Sequence, residues 1–225
     1  MTATRSYHLL HLIRRVVLRL AVLGSVLGSA AHAEERTVEA SQMFPKLELY
    51  LALPPDHRDR FQPRYVLYAK SGDLRGVEVW ILLDGRRTSI PVSESGLILR
   101  LPNRSALTRG MVQLVYGDGA RIGLRVELQA TLPASASLEG QDLERALAQA
   151  NEGIRSEAGL LAFLTPGLNR YVFEGGEYGE VIYSDGRRAP LPLIDGQPYY
   201  EPKQGRAISL IRLGRPPTSI VMKTK

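Results

Sequence analysis

Three glutamates crowd the glycine-rich stretch FEGGEYGE: Glu174, Glu177 and Glu180. Carboxylates at this spacing suit two chemistries, oxygen ligation of a hard cation such as calcium and the acid and nucleophile pair of glycoside hydrolysis. Against both stands the plainer reading of a solvated turn, since calcium loops carry denser oxygen ligands than this. Downstream, GQPYYEP holds Tyr199 and Tyr200 between prolines, with Tyr171, Phe173, Tyr178 and Tyr183 near them in sequence. Aromatic side chains of this kind stack on sugars or anchor a protein partner, and they also fill small β cores.

Most other catalytic options are closed by composition. The chain has no cysteine, which excludes disulfides, thiolate nucleophiles, thiolate metal sites and a lipid-modified cysteine. Of its four histidines, His8, His11 and His32 fall in the first 33 residues, so His57 alone remains beyond them. A multi-histidine metal site therefore cannot form, and a Ser-His-Asp triad would have to use His57. That residue sits in PPDHRDRF, a polar setting that predicts an exposed histidine. Gly117, Gly119 and Gly123 in MVQLVYGDGARIG do not have dinucleotide-loop spacing. Ile122, Leu124, Val126 and Leu128 then alternate as a strand where a phosphate-binding helix would have to begin, so a hairpin around Asp118-Gly119 is expected. Asn103-Arg104-Ser105 fits a glycosylation sequon. No metal ion or cofactor is implied.

Asp-Gly-Arg-Arg followed by proline occurs twice, in LLDGRRTSIP and YSDGRRAPLP. The arginines offer a paired anion site, whereas the Asp-Gly pairs offer two-residue hairpin turns, because both turn positions need positive φ. A turn at Asp84-Gly85 sets Leu83 opposite Arg86, Ile81 opposite Thr88, Trp80 opposite Ser89 and Val79 opposite Ile90. A turn at Asp185-Gly186 sets Val181 opposite Pro190 and Gly179 opposite Pro192. In both cases the prolines, Pro91 included, land at non-hydrogen-bonded positions on the outer strand, where they block edge-to-edge association. The repeat is read as architecture.

The first hairpin raises a second candidate. Val77, Val79, Ile81, Leu83, Ile90 and Val92 share one face and make a core, which leaves Trp80, the chain's one tryptophan, and Leu82 on the other with Glu78, Ser89 and Arg87. Either the helix or the second β region covers Trp80, or it belongs to a partner-binding patch. Candidate binding residues are Trp80, Arg87, Tyr183, Arg188, Tyr199 and Tyr200; the alternative carboxylate cluster is Glu174, Glu177 and Glu180.

These side chains need elements to hold them. Met1 to Arg15 is basic without an acid, Val16 to Ala30 is apolar or small apart from Arg19, and Ala31-His32-Ala33 is the pattern a signal peptidase reads. The expectation is a cleaved leader over 1–33 with a mature chain from Glu34, exported by the general or, given Arg14-Arg15, the twin-arginine route. The apolar run is too short to span a membrane, and the mature chain has no transmembrane segment. The whole chain carries a net +6 from 29 basic and 23 acidic residues; without Arg5, Arg14, Arg15 and Arg19 the mature chain keeps 25 basic residues and +2. A nucleic-acid partner loses its electrostatic basis.

After a tether at 34–46, short apolar runs alternate with turn signals. Arg64 to Lys70, Val77 to Leu83, Arg87 to Val92, Leu97 to Leu101, Met111 to Tyr116 and Arg121 to Ala130 read as strands, and KLELYLAL at Lys46 to Leu53 as a strand or a short helix. This predicts an immunoglobulin-like β-sandwich over 47–132. In 133–167, after the loop TLPASAS, Leu143, Ala146, Leu147, Ala150 and Ile154 fall at helical spacing; Gly159 stops the helix and Leu160 to Leu164 continues the apolar run. A smaller antiparallel β region follows over 168–225, with strands at Arg170 to Phe173, Gly179 to Ser184, Arg187 to Leu193, Arg206 to Leu213 and Ser219 to Met222. A mainly β, exported chain poor in catalytic side chains reads as a non-catalytic binding or assembly module of the cell envelope, with an envelope protein or glycan as partner. The alternative is a carboxylate-dependent enzyme or binder acting on an envelope glycan.

Overall fold

The computed structural model describes residues 33–158 and 167–225. The predicted leader up to residue 32, the helix stop at Gly159 and the apolar run Leu160 to Leu164 lie outside the described residues. Glu34 to Lys225 forms one compact unit. The elements are β1 Ala33–Glu39, α1 Ala40–Met43, α2 Leu47–Ala52, β2 Phe61–Ser71, β3 Glu78–Leu83, β4 Arg86–Ile90, α3 Arg104–Arg109, β5 Met111–Gly117, β6 Arg121–Ala130, β7 Ser137–Glu139, α4 Gly140–Ala158, β8 Arg170–Glu174, β9 Gly179–Tyr183, β10 Arg188–Pro190, β11 Leu193–Ile194, β12 Gln197–Tyr200, β13 Ile208–Leu213 and β14 Ser219–Lys223. The protein is mainly β, with several antiparallel sheets and one long helix.

Among the described residues three sheets form: β1-β5-β3-β4, β10-β9-β13-β7 and a six-stranded sheet β11-β12-β8-β14-β6-β2. The last one departs from the expected division into a sandwich over 47–132 and a separate region over 168–225. Strand β14 pairs with β6, Val221 opposite Gln129 and Met222 opposite Leu128, so the two halves of the chain share one sheet. The tether expected at 34–46 is also built in: β1 joins the first sheet, and Ala40, Met43 and Phe44 are buried.

Antiparallel pairing places opposed residues on one face. In the β2–β6 ladder Phe61 faces Ala130, Tyr65 faces Val126 and Leu67 faces Leu124. Two cores rest on that face. At one end Tyr65 and Leu67 pack with Val79, Ile90, Val112, Leu114, Phe44 and Leu107. At the other, Phe61 and Ala130 pack with Tyr171, Phe173, Val181, Ile211 and the apolar stripe of α4. That stripe is as expected: Leu143, Ala146 and Ala150 are fully buried, and Glu144, Arg145, Glu152 and Arg155 are exposed. Tyr171 anchors it by donating its hydroxyl to the Leu143 carbonyl.

Several local expectations are decided or corrected. KLELYLAL becomes helix α2, because Lys46 at φ 69° turns the chain into it and Leu47 alone is fully buried, a one-sided pattern that period three to four satisfies. Leu97 to Leu101 makes isolated bridges, Val66 to Leu97 and Val92 to Ile98, rather than a strand. Asp118-Gly119 turns the chain from the first sheet into the six-stranded one, so β5 and β6 are not a hairpin. The sequon lies across the start of helix α3, and its Asn103 caps the helix by accepting from the Ala106 N–H at 2.9 Å.

The hairpins separate instructively. Asp84 at φ 50° and Gly85 at φ 73° make the expected two-residue turn, with every β3–β4 pair in the expected register. The turn expected at Asp185-Gly186 is instead a three-residue loop. Tyr183 donates to the Arg187 carbonyl, Gly186 donates to that of Tyr183, and Ala189, not Pro190, faces Val181. A slip of one residue turns every side chain over. The observed register puts Ala189 against the core and leaves Arg188 exposed, whereas the expected one would have turned Arg188 inward. Pro190 faces Glu180 at a non-hydrogen-bonded position of an edge strand, and exposed Pro91 follows β4, the other outer strand. Both proline-bearing strands are edges, although Pro192 lies beyond β10 and passes its carbonyl to Tyr199 N–H of the neighbouring sheet.

Candidate functional site

The β3–β4–β5 ladder has an inner and an outer face. Val79, Ile90, Val112 and Leu114 point inward and are buried. Glu78, Trp80 and Leu82 point outward beside Val115, Gln113 and Met111 of β5. Neither core includes Trp80, Leu82, Met111 or Val115. Trp80 itself is part-buried and belongs to neither core. Its indole N–H donates to the Glu78 carboxylate at 2.9 Å, and the Arg87 guanidinium carbon stands 4.1 Å from the ring centroid. A cation over an indole face is attracted by the ring quadrupole, which holds the two groups together. Gln113 is tied to Glu35 of β1, and Met111 is exposed.

The other expected binding residues are not brought to this face. Tyr199 lies on the six-stranded sheet with the Arg170 guanidinium 5.0 Å from its ring centroid. Tyr200, next along the same strand, points the opposite way into the core, where burial pushes its phenol up to about 12. Tyr183 packs against that core from β9, and Arg188 sits on an edge strand 3.5 Å from Glu180. The two Asp-Gly-Arg-Arg copies also have different partners. Asp84 is paired with Arg109 at 3.1 Å, while Asp185 is paired with Arg187 of its own turn at 2.6 Å. No shared anion site is assembled from them.

Nor do the three glutamates converge. Glu174 ends β8 in the six-stranded sheet, Glu180 lies in β9 of another sheet, and Glu177 occupies the exposed connection. Each has its own cation: Arg64 at 2.6 Å for Glu174, Arg215 at 3.2 Å for Glu177, and Arg212 at 3.3 Å for Glu180. Among the described residues no group of three acidic or histidine side chains is placed to hold a metal ion. His57 is half-exposed in a turn, 4.0 Å from Asp56.

Sequence reasoning passed over the charge cluster behind Glu174. On the face of the six-stranded sheet opposite the cores, Arg64 of β2 stands 3.3 Å from Glu127 and 2.6 Å from Glu174, and Ser219 also donates to Glu174. Arg64 is 10% exposed and Glu127 6%. Burial pushes the Glu174 carboxyl up, but the hydrogen bonds from Ser219 and Arg64 and the nearby positive charge outweigh it and hold it below its ordinary value. A carboxyl held ionised in this way is poorly suited to donate a proton. Its folded pKa lies below the unfolded one, so its contribution to stability is complete above the ordinary carboxylate range and is lost as pH falls through the folded pKa. Glu174→Gln is expected to cost about 1 kcal/mol at neutral pH, and the difference from wild type is expected to shrink as pH falls below the ordinary carboxylate range. Urea unfolding at neutral and at acid pH checks it.

Among the described residues no helix is long and apolar enough to cross a membrane. No protein-family model, no curated protein and no solved structure matches the chain.

Proposed function

We propose that the protein is a non-catalytic binding or assembly module of the cell envelope, exported by its N-terminal leader, and that it holds a protein partner on the outer face of the β1-β5-β3-β4 sheet. The observation that carries this reading is Trp80. The chain's one tryptophan stands outside both cores, beneath Arg87 and beside exposed Met111. Tryptophan and arginine are the side chains most often found at the energetic centre of protein interfaces, and an apolar side chain left on an open sheet face gains by being covered. The pairing of Glu174, Glu177 and Glu180 with separate arginines supports binding over glycan hydrolysis, which needs two cooperating carboxyl groups.

The test is site-specific photo-crosslinking in the envelope, with the probe at Leu82, beside Trp80, and a control probe at exposed Leu99. One discrete adduct at Leu82, absent at Leu99, is expected. For the partner so identified, Trp80→Ala is expected to weaken binding by about 2 kcal/mol. Identical adducts at both probes, or an unchanged affinity after Trp80→Ala, would remove this face from the reading.

A further inference from the structure

The β10-β9-β13-β7 sheet has one face in a core and one face outside it. Val181, Ile211 and Leu138 point inward and are buried. Side chains alternate along a strand, so the residues flanking these point outward, and the ladder pairs set them in rows across the sheet. One row runs Arg188, Ile182, Leu210, Glu139. The next runs Pro190, Glu180, Arg212, Ser137. Beyond it Tyr178, 67% exposed, lies across Gly214, where an added Cβ would stand 2.6 Å from its ring. Ile182, Leu210 and Tyr178 belong to neither core.

Within one chain the charges of this face are unevenly matched. Arg188 at 3.5 Å and Arg212 at 3.3 Å share Glu180, whereas exposed Glu139 pairs with no cation among the described residues. Their order, however, is self-complementary. A two-fold axis lying along the strands, midway between β9 and β13 and between two stacked sheets, exchanges the two ends of each row. A second copy laid face to face about that axis sets Arg188 against Glu139, Ile182 against Leu210, Glu180 against Arg212 and Pro190 against Ser137. Every charge then meets its opposite, and the apolar pair meets itself. The Tyr178 rings of the two copies meet across the same axis.

We propose that this outer face joins two copies of the chain in a symmetric dimer. A different protein would require no such match between the two ends of one row. Pro190, on edge strand β10, withholds a donor from edge-to-edge pairing, so the face and not the edge is open to a second copy. Four strands at about 4.8 Å spacing and six residues of length, as in β13, cover roughly 400 Å² per copy, against the roughly 800 Å² per partner of a standard interface. The dimer is therefore weak and reversible. The assignment stands apart from the Trp80 surface, which belongs to a different sheet, so each can fail without the other.

Sedimentation equilibrium of the purified protein is expected to show monomer and dimer in exchange, with a dissociation constant between about 1 μM and 1 mM. Arg188→Glu sets like charges against Glu139 of the second copy, and Glu139→Arg does the same against its Arg188. Each variant alone is expected to weaken the dimer at least about tenfold. Mixed in equal amounts, the two are expected to recover the wild-type affinity as a heterodimer, because opposite charges then meet at both ends of the row. Arg75→Glu, on the connection between β2 and β3, changes net charge as Arg188→Glu does and is expected to dimerise as wild type does. Should either face variant fold poorly, wild type carries the test: raising salt from about 0.05 M to about 0.5 M is expected to weaken its dimer several-fold, since exposed charge pairs are screened. Monomer alone up to about 1 mM, an undiminished dimer in a folded face variant, no recovery on mixing, equal weakening by Arg75→Glu, or a wild-type dimer indifferent to salt each overturns the proposal.

Discussion

Arg64→Ala is expected to lower folding stability by about 3 kcal/mol, one of the two largest single-residue effects expected in this protein. Arg64 lies against two carboxylates on the six-stranded sheet, one of them 6% exposed and the other 23%. Deleting the arginine leaves that charge where water reaches it poorly, and the cost of an unbalanced buried charge exceeds what the pair itself contributes. Arg125 and Lys223 remain beside Glu127 and limit the loss there, so Glu174 carries most of it. Arg64→Lys keeps the charge, but its single ammonium cannot reach both carboxylates as the guanidinium fork does, and it is expected to recover about half of the loss. Urea unfolding at neutral pH checks both variants; a loss within about 0.5 kcal/mol of zero for Arg64→Ala would mean that water screens the cluster.

Gly96→Ala is expected to cost a similar amount, about 3 kcal/mol, for a different reason. The segment around Gly96 is laced to β2: Leu67 donates to the Gly96 carbonyl at 2.8 Å and Ile98 donates to that of Tyr65 at 2.9 Å. Gly96 holds φ at +84°, and a Cβ there would stand 2.1 Å from the Leu67 carbonyl oxygen. Conformational strain and a backbone clash therefore add. Gly85→Ala is the control, since that glycine has φ +73° with nothing within 4 Å, and it is expected to show the strain alone, about 1 kcal/mol. Equal losses for the two variants by urea unfolding would refute the claim that the approach to Leu67 matters.

The Arg64 cluster and the glutamates show where sequence reasoning stopped. RVELQ at Arg125 to Gln129 reads only as an alternating strand, and nothing local says that Glu127 meets Arg64 and Lys223. Those relations join residues from opposite ends of the chain. Glu174, Glu177 and Glu180 are neighbours in sequence, yet the chain changes sheets between the first and the last, and nearness in sequence is lost over a few residues. Trp80 was legible as far as local structure reaches. Its turn and register place it on the face opposite Val79 and Ile81, but only the arrangement of sheets decides that it stands outside both cores.

Turn chemistry marks the same division. Asp-Gly between apolar runs was enough to define the β3–β4 ladder pair by pair, because the backbone angles of a two-residue turn are a local property. Asp195-Gly196 carries the same signal, at φ 51° and 75°, and makes the same turn between β11 and β12, a pair that alternation could not reveal because each strand is so short. Asp185-Gly186 has the fuller match to the first motif and yet makes a longer loop, because the core's choice of Ala189 over Arg188 outweighs local preference. From sequence alone followed the mainly β class, the amphipathic stripe of α4, the edge prolines Pro91 and Pro190, and the exclusion of cysteine chemistry, all set by residue types within a few positions of one another. Tertiary structure alone decided that both halves share one sheet, that β1 is an edge strand of another sheet rather than a tether, and which charges and apolar side chains end up facing each other, because those follow from contacts between segments far apart in the chain.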